Sequence, residues 1–583
     1  MSPLPSARSR RPTHALAPLA RPGARIFAAL ALAVGLVAPT ARAEEDPAEV
    51  AIGERLFLET RFAEFFAREA TDPNAPLASG DPVLDTTRTT GADLPGPFAG
   101  QSMNCRACHL VDEHRDTPSA GLRTYADFAR RSPIPARGDG RTTAPRNSPA
   151  LVNASLARRG GLLLHLDGEF GSLESLVRGT LTGRNYGWLP TEHAAAVAHI
   201  ARVVREDDGT GALAAAFGGA YRDVLAGDAA RVPAELVLPE ALRIDVDQAT
   251  DDAILDAVAR LVAIYVEQLV FSQDEAGRFD GSPYDAFLRA NGLPLAPRSR
   301  ETPAAYTARL RRALLRLRTV VYVDDGPFTT HPGRRVFGPR ELRGLLVFLE
   351  PAPRRPRATE LARGGIGNCA ACHAAPTFTD FGFHNTGVSQ VEYDALHGPG
   401  RFAALPIPDL ATRNADPDAW LPASPSHPNA QEPFRAPADP ADPRRTDLGV
   451  WNVVANPDLP AVQAKLQGAL CRQAIESNDR AVVASAHGSA LPGVPCRPGI
   501  LLDRAVARFK TPGLRDLSHS APYLHDGSRD SLEEVVDFYR TVSEGARAGT
   551  LRNGAPELRG IALTEADVAA VAAFLRALDE DYE

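Results

Sequence analysis

Cys105-Arg106-Ala107-Cys108-His109 and Cys369-Ala370-Ala371-Cys372-His373 decide how this 583-residue chain is read. Each stretch places two thiols one helical turn apart with an imidazole directly after the second, the attachment pattern of a c-type haem. The thiols add across the haem vinyl groups, so the cofactor cannot dissociate, and the adjacent histidine becomes an iron ligand. A redox dithiol would need neither histidine, and a zinc site would call for further Cys or His close by. Two copies of the motif therefore predict two covalently bound haem c groups, with His109 and His373 as proximal ligands.

The two remaining cysteines, Cys471 and Cys496, lie in a Pro- and Gly-rich stretch without a haem motif. They are read as a structural disulfide of an oxidising compartment, with two free thiols as the alternative. That compartment is suggested by the first 43 residues. Arg8, Arg10, Arg11, Arg21 and Arg25 precede an apolar run from Ile26 to Val37, and Ala41-Arg42-Ala43 follows. This order is that of a secretion signal cleaved after Ala43, and the apolar run is too short for a membrane span. The mature protein is thus expected in the periplasm, with no membrane span after cleavage. Loss of the leader removes six arginines and no acid, taking the formal charge from −8 to −14. Such a balance argues against nucleic acid and anionic membranes as partners, and would steer a basic electron-transfer protein.

A length of 583 residues exceeds one ordinary core, and 44% hydrophobic residues suffice to build two. The reading is a signal peptide (1–43), an N-terminal cytochrome c domain (44–300), a linker (301–335) and a C-terminal cytochrome c domain (336–583). Helical periodicity predicts helices from Asp252 to Gln273, Tyr306 to Arg318 and Pro339 to Leu349. A last helix follows Thr564, an N-cap with Asp567 three residues on. Between about 387 and 501 lies a Pro-, Asp- and Ala-rich insertion of little periodicity, expected as loops and short helices over the second haem.

Several further segments resemble the bacterial di-haem cytochrome c peroxidase and MauG superfamily. Pro145-Arg146-Asn147-Ser148-Pro149, Asn153-Ala154 and Asp167-Gly168 follow the first motif. FTDFGFHNTGV (Phe378 to Val388), FKTPGLRD (Phe509 to Asp516) and APYLHDGS with LEEVVDFY (Ala521 to Tyr539) follow the second. The resemblance implies a mainly α fold of two class I-like cytochrome c domains with long loops. It also implies an oxidoreductase in which electrons from a small donor protein, a cytochrome c or cupredoxin, pass from the C-terminal haem to the N-terminal haem to cleave hydrogen peroxide. A calcium ion between the domains is implied at Asn147, with backbone carbonyls near Lys510 and Pro512, a set of oxygen ligands suited to Ca²⁺.

Composition argues against a methionine as sixth ligand of the second haem, so another ligand serves or the site is open. Met103 is the single methionine beyond the initiator, only two residues before Cys105, so His/Met ligation of the second haem is nearly excluded. Matching the family's axial position without gaps reaches Tyr539, as in MauG, with His519 and His525 as fallbacks. At the first haem His114 is too close to His109 to cross to the other face, so an open iron that binds peroxide or O₂ is expected. The family's distal Gln and Glu positions hold Leu176 and Tyr186, and its inter-haem Trp position holds Leu166. His165, Glu169, Arg184 and Tyr186 are the candidate substitutes for proton supply, and Trp188 lies near them. Two alternatives stay open: a MauG-like or rubber-oxygenase-like enzyme oxidising a protein or organic substrate, and a non-enzymatic electron carrier.

Overall fold

The computed structural model describes residues 46–77, 80, 103–109, 131–132, 134–329, 333–353, 355, 357–484 and 493–581, without the side chains of Ala212 and His519. The expected leader and His114 lie outside the described residues, as does the His519 side chain. No described helix is long and apolar enough to cross a membrane.

The described chain is mainly helical. In the first half the principal helices are α1 (Ala48–Phe57), α2 (Leu173–Leu181), α3 (His193–Glu206) and α4 (Asp251–Gln268). Their apolar faces make one core that runs in sequence from Val50 to Leu269. The Thr250 hydroxyl starts α4 by accepting from Ala253 N at 3.2 Å. The sequence extends this helix to Gln273, but it stops at Gln268. Asn153 takes over the backbone there: its N–H donates to Leu269 O, and its Oδ1 accepts from Phe271 N at 3.2 Å.

In the second half α5 (Pro283–Ala290), α6 (Pro303–Leu314) and α7 (Pro339–Leu349) come first. The α6 helix starts and ends earlier than its periodicity suggests, because Thr302 caps Ala305 N and Pro303 takes the first helical position. α7 has the bounds the sequence predicts. These helices share a second core with the closing helix Glu565–Arg576, which Thr564 and Asp567 cap reciprocally as expected. Two small antiparallel pairs complete this half: β1 (Val323–Pro327) with β2 (Arg334–Phe337), and β3 (Phe383–His384) with the distant β4 (Phe509–Lys510).

A close backbone crossing recurs in both halves. A Cβ at Gly53 of α1 would stand 2.3 Å from Leu261 O of α4, and one at Gly344 of α7 would stand 1.9 Å from Ala570 O of the closing helix. Each glycine thus lets the helix that leads to a haem motif lie directly on the last helix of its half.

The insertion expected from about 387 to 501 is more regular than its composition suggests. It carries α8 (Gln463–Glu476), with the longer α9 (Leu532–Ala548) following after β4. It also builds its own core, in which Trp451, Leu448, Val450, Leu466 and Leu502 are fully or almost fully buried. Cys471 and Cys496 are disulfide-bonded within that core. Leu163, from the first half, joins the same core, so the insertion packs against the segment that follows the first motif and not only around the second. Periodicity failed here because the core is assembled from turns and short helices.

The crossing gives the first prediction. Gly344→Ala should lower stability by about 1–3 kcal/mol through forced separation of α7 from the closing helix. Gly499→Ala, whose Cβ meets nothing within 4 Å, should not. Denaturant unfolding of both variants checks this.

Candidate haem-binding sites

Each motif forms a single 3₁₀ turn, Cys105–Ala107 and Cys369–Ala371. An asparagine precedes each and ties it to the surrounding helices. Asn104 Oδ1 accepts from Ala107 N at 3.2 Å, while its Nδ2 donates to Leu58 O at 2.9 Å. Asn368 Oδ1 accepts from Ala352 N at 3.0 Å and its Nδ2 donates to Glu557 O at 3.0 Å. The motif reading missed both residues, although the shared Asn-Cys-x-Ala-Cys-His spelling displays them in the sequence.

The four motif cysteines are free of disulfides. Burial pushes the Cys105 thiol up to about 11 and the Cys108 and Cys369 thiols up to about 12, and raises that of Cys372. The imidazoles are held alike. His109 Nδ1 lies 3.0 Å from Pro149 O, and His373 Nδ1 lies 2.9 Å from Phe378 O. A carbonyl only accepts, so Nδ1 carries the proton in both rings and Nε2 is left with its lone pair. Burial lowers the His109 pKa to about 4 and also lowers that of His373, keeping both rings neutral. Neutral imidazoles held through Nδ1, beside paired thiols, fit two c-type haems.

Tyr539 stands on α9. Its phenol is pushed up by burial and then by the nearby Cys372 and Cys369 thiols, which places it in the surroundings of the second motif. Coordination there would require loss of the phenolic proton. His525 is turned elsewhere: its ring stacks on Phe509 at 3.7 Å and its main neighbours are Asp526, Asp447 and Arg146. His384 meets the second motif instead, with Nδ1 3.6 Å from Cys372 Sγ and Nε2 2.8 Å from Asp380 Oδ2. Its ring is also contacted by Gln473 of α8.

The candidate residues near the first motif separate into groups. Tyr186 is 3% exposed, and its hydroxyl lies 3.0 Å from Cys105 Sγ. Burial, with Cys105 next, raises its phenol well above the ordinary value, so it keeps its proton. His165 lies near enough to His109 to oppose its protonation, and His165 Nδ1 is 3.2 Å from Glu169 Oε2. Arg184 is not brought to either group. Its guanidinium bonds Asp139 at 2.7 and 2.9 Å and the carbonyls of Pro135 and Arg141. Trp188 is a core residue, donating to Phe62 O at 3.2 Å, and Leu176 packs on the first core.

His165, Asp167 and Glu169 lie close enough to hold a cation. Their charge is already balanced, however, by residues from outside the segment. Arg435 bonds both Glu169 oxygens at 2.5 and 3.1 Å, and Arg146 bridges Asp167 at 2.5 Å to Asp447 at 2.5 and 2.9 Å. Arg435 and Asp447 come from the insertion, which no local pattern could reveal.

The calcium expectation finds no support in the Asn147 side chain. Its Oδ1, the atom a cation would take, accepts from Arg131 N at 3.1 Å, and its Nδ2 donates to Pro522 O at 2.7 Å. Lys510 donates from its backbone to Leu166 O and from Nζ to Leu163 O at 3.3 Å, and Pro512 faces His373. No role is derived for calcium.

Parts of the chain are similar in sequence to known proteins, and it spans well under half the length of each. The cytochrome-c peroxidase IdrP2 of Denitromonas iodatirespirans is 26% identical over 214 residues, covering 37% of this chain and 36% of that protein. The methylamine utilization protein MauG of Methylophilus methylotrophus is 39% identical over 71 residues, 12% of this chain and 20% of MauG. The solved diheme peroxidase BthA of Burkholderia thailandensis aligns over 92% of this chain and 86% of its own at TM-score 0.39 and 19% identity. No family model matches the chain.

The Glu169–Arg435 pair gives a pH-dependent prediction. Desolvation by burial would raise the Glu169 pKa, but Arg435 and then His165 outweigh it, so the carboxyl sits well below its ordinary 4.5. A depressed carboxyl stabilises the fold above the unfolded-state value and loses that contribution as pH falls. Arg435→Ala should therefore lower stability by about 3–5 kcal/mol at pH 7, and the deficit should shrink below about pH 4.5. Urea unfolding at stepped pH measures it.

Proposed function

We propose, from the chain's membership of the bacterial di-haem cytochrome c peroxidase and MauG superfamily, that it is a periplasmic di-haem c-type oxidoreductase. It reduces hydrogen peroxide with electrons passed from the C-terminal haem to the N-terminal haem, which a small cytochrome c or cupredoxin supplies. The observation that carries this reading is the contrast between two motifs whose histidines are held alike. Beside the first stand an apolar wall and the buried phenol of Tyr186; near the second stands the buried phenol of Tyr539, which the family resemblance makes the candidate ligand.

When bound, the haems supply a centre for peroxide and a second one-electron store. The protein's own part is positional. Pro149 O and Phe378 O orient the proximal imidazoles through Nδ1. Tyr186 holds a proton at its hydroxyl beside the first attachment site, and the His165–Glu169 pair lies near His109. A positioned acid of this kind contributes about a hundredfold or more to bond cleavage.

Tyr539 also favours a second reading, oxidation of a protein or organic substrate with peroxide or O₂. A phenolate ligand stabilises ferric iron and lowers the potential, which suits access to higher oxidation states more than electron shuttling. The domain boundaries near 300 and 335 belong to this proposal as well.

Low-temperature EPR of the holoprotein, with peroxide turnover against a reduced donor, tests the assignment. One high-spin and one low-spin centre are expected. Tyr539→Phe should remove the low-spin signal, and Tyr186→Phe should slow peroxide turnover about a hundredfold while leaving both signals in place. Two low-spin centres that bind no cyanide and ignore peroxide would leave a plain electron carrier.

A further inference from the structure

The two attachment turns differ in exposure. Ala107, between the cysteines of the first motif, is 3% exposed, whereas Ala371, at the matching place in the second, faces solvent. The surface around the second turn is made by the C-terminal end of α6 and the chain that leaves α7. Thr307 of α6 accepts from Ala375 N at 3.1 Å, Arg311 pairs with Glu350 at the end of α7, and Asn368, directly before Cys369, accepts from Ala352 N. The Arg311–Glu350 pair thus joins the segment that carries Arg312, Arg316 and Arg318 to the segment that carries Arg355 and Arg357, whose backbone N–H donates to Glu360 at 3.0 Å.

All five arginines are exposed, and among the described residues none has an ion-pair partner. Buried arginines such as Arg55, Arg146, Arg435 and Arg515 are neutralised by carboxylates, whereas exposed ones such as Arg300, Arg480 and Arg559 resemble these five in having no ion pair among the described residues. The positive charge of these five runs against a formal net charge of −8. A competing surface exists: a cavity of about 410 Å³ beside α9, lined by Glu533, Glu534 and Asp537. Its acids are already engaged, Glu533 by Arg576 at 2.6 Å, Asp537 by Arg540 at 2.6 Å, and Glu534 by the backbone of Asp530 at 2.8 Å. Charges with local partners project little field, whereas unpaired charges on one face steer an oppositely charged protein and set its docking rate.

We propose that the face formed by Arg312, Arg316, Arg318, Arg355 and Arg357 is the docking surface for the electron donor, and that this donor is a small acidic redox protein. This reverses the basic partner that the overall charge suggests, and it rests on the reading of the protein as a di-haem oxidoreductase. Each encounter oxidises the donor by one electron and reduces the second haem by one. Two encounters, with two protons, account for one peroxide reduced to two waters.

The test uses the holoprotein, its triple variant Arg312→Ser/Arg316→Ser/Arg318→Ser, and two reduced probes: a cupredoxin of net negative charge and a strongly basic cytochrome c. Surface-immobilised holoprotein gives binding, and stopped-flow absorbance gives haem reduction without peroxide, so the docking claim survives or fails apart from peroxidase activity. The expected result is binding and reduction by the acidic probe that weaken with salt and fall about tenfold in the variant, with reduction by ascorbate unchanged. Equal rates with the acidic probe for wild type and variant, or faster reduction by the basic probe, would overturn the proposal. So would binding to phosphatidylglycerol vesicles that the variant abolishes while its reaction with the acidic probe stays intact, since the face would then serve a membrane.

Discussion

The hydrogen bond from each motif histidine's Nδ1 to a main-chain carbonyl, Pro149 O for His109 and Phe378 O for His373, is the constraint on which the rest of the molecule depends. It fixes the tautomer, aims Nε2 and sets the plane of the ring, which is what a covalently tethered haem requires of its proximal side. Much of the surrounding architecture can be read as support for those two carbonyls and for the turns opposite them. Asn104 and Asn368 anchor the turns, the Gly53 and Gly344 crossings bring the flanking helices together, and the apolar cores remove water from both imidazoles.

Alike in their proximal bonds, the two sites diverge beyond them. Around the first, the groups within reach are Tyr186, held protonated against Cys105, and the His165–Glu169 pair. Around the second they are Tyr539 on α9 and the His384–Asp380 pair. Burial raises both phenols, so each keeps its proton in the absence of a metal.

The insertion changes the character of the first site without touching either motif. Arg435 and Asp447 enter the buried network of Glu169, Asp167 and Arg146, so three carboxylates and two guanidiniums lie together in little solvent, each bonded to an opposite charge. Such a network is sensitive to loss of any member, because the remaining charge is stranded in a low-dielectric interior. The disulfide Cys471–Cys496 and the Trp451 core hold the insertion's own shape, and through it the position of Arg435.

The sequence by itself determined what depends on neighbours in the chain. The expectation of haem attachment rests on thiols and imidazole within five residues, that of the closing helix on the Thr564–Asp567 cap, and that against a methionine ligand on a simple count. Even the anchoring asparagines were legible in the shared spelling before each cysteine pair. What only the tertiary structure decided are contacts between distant residues: Arg146 with Asp447 across 301 positions, Arg435 with Glu169 across 266, and the turning of Arg184 toward Asp139 and away from the first motif. Local spacing carries no trace of such pairs, because neither helical nor strand periodicity constrains partners that meet only when separate layers pack. The same holds for the insertion, whose core is closed by turns with no repeating period, and for the arginine face, which exists only once α6 and the chain after α7 lie side by side.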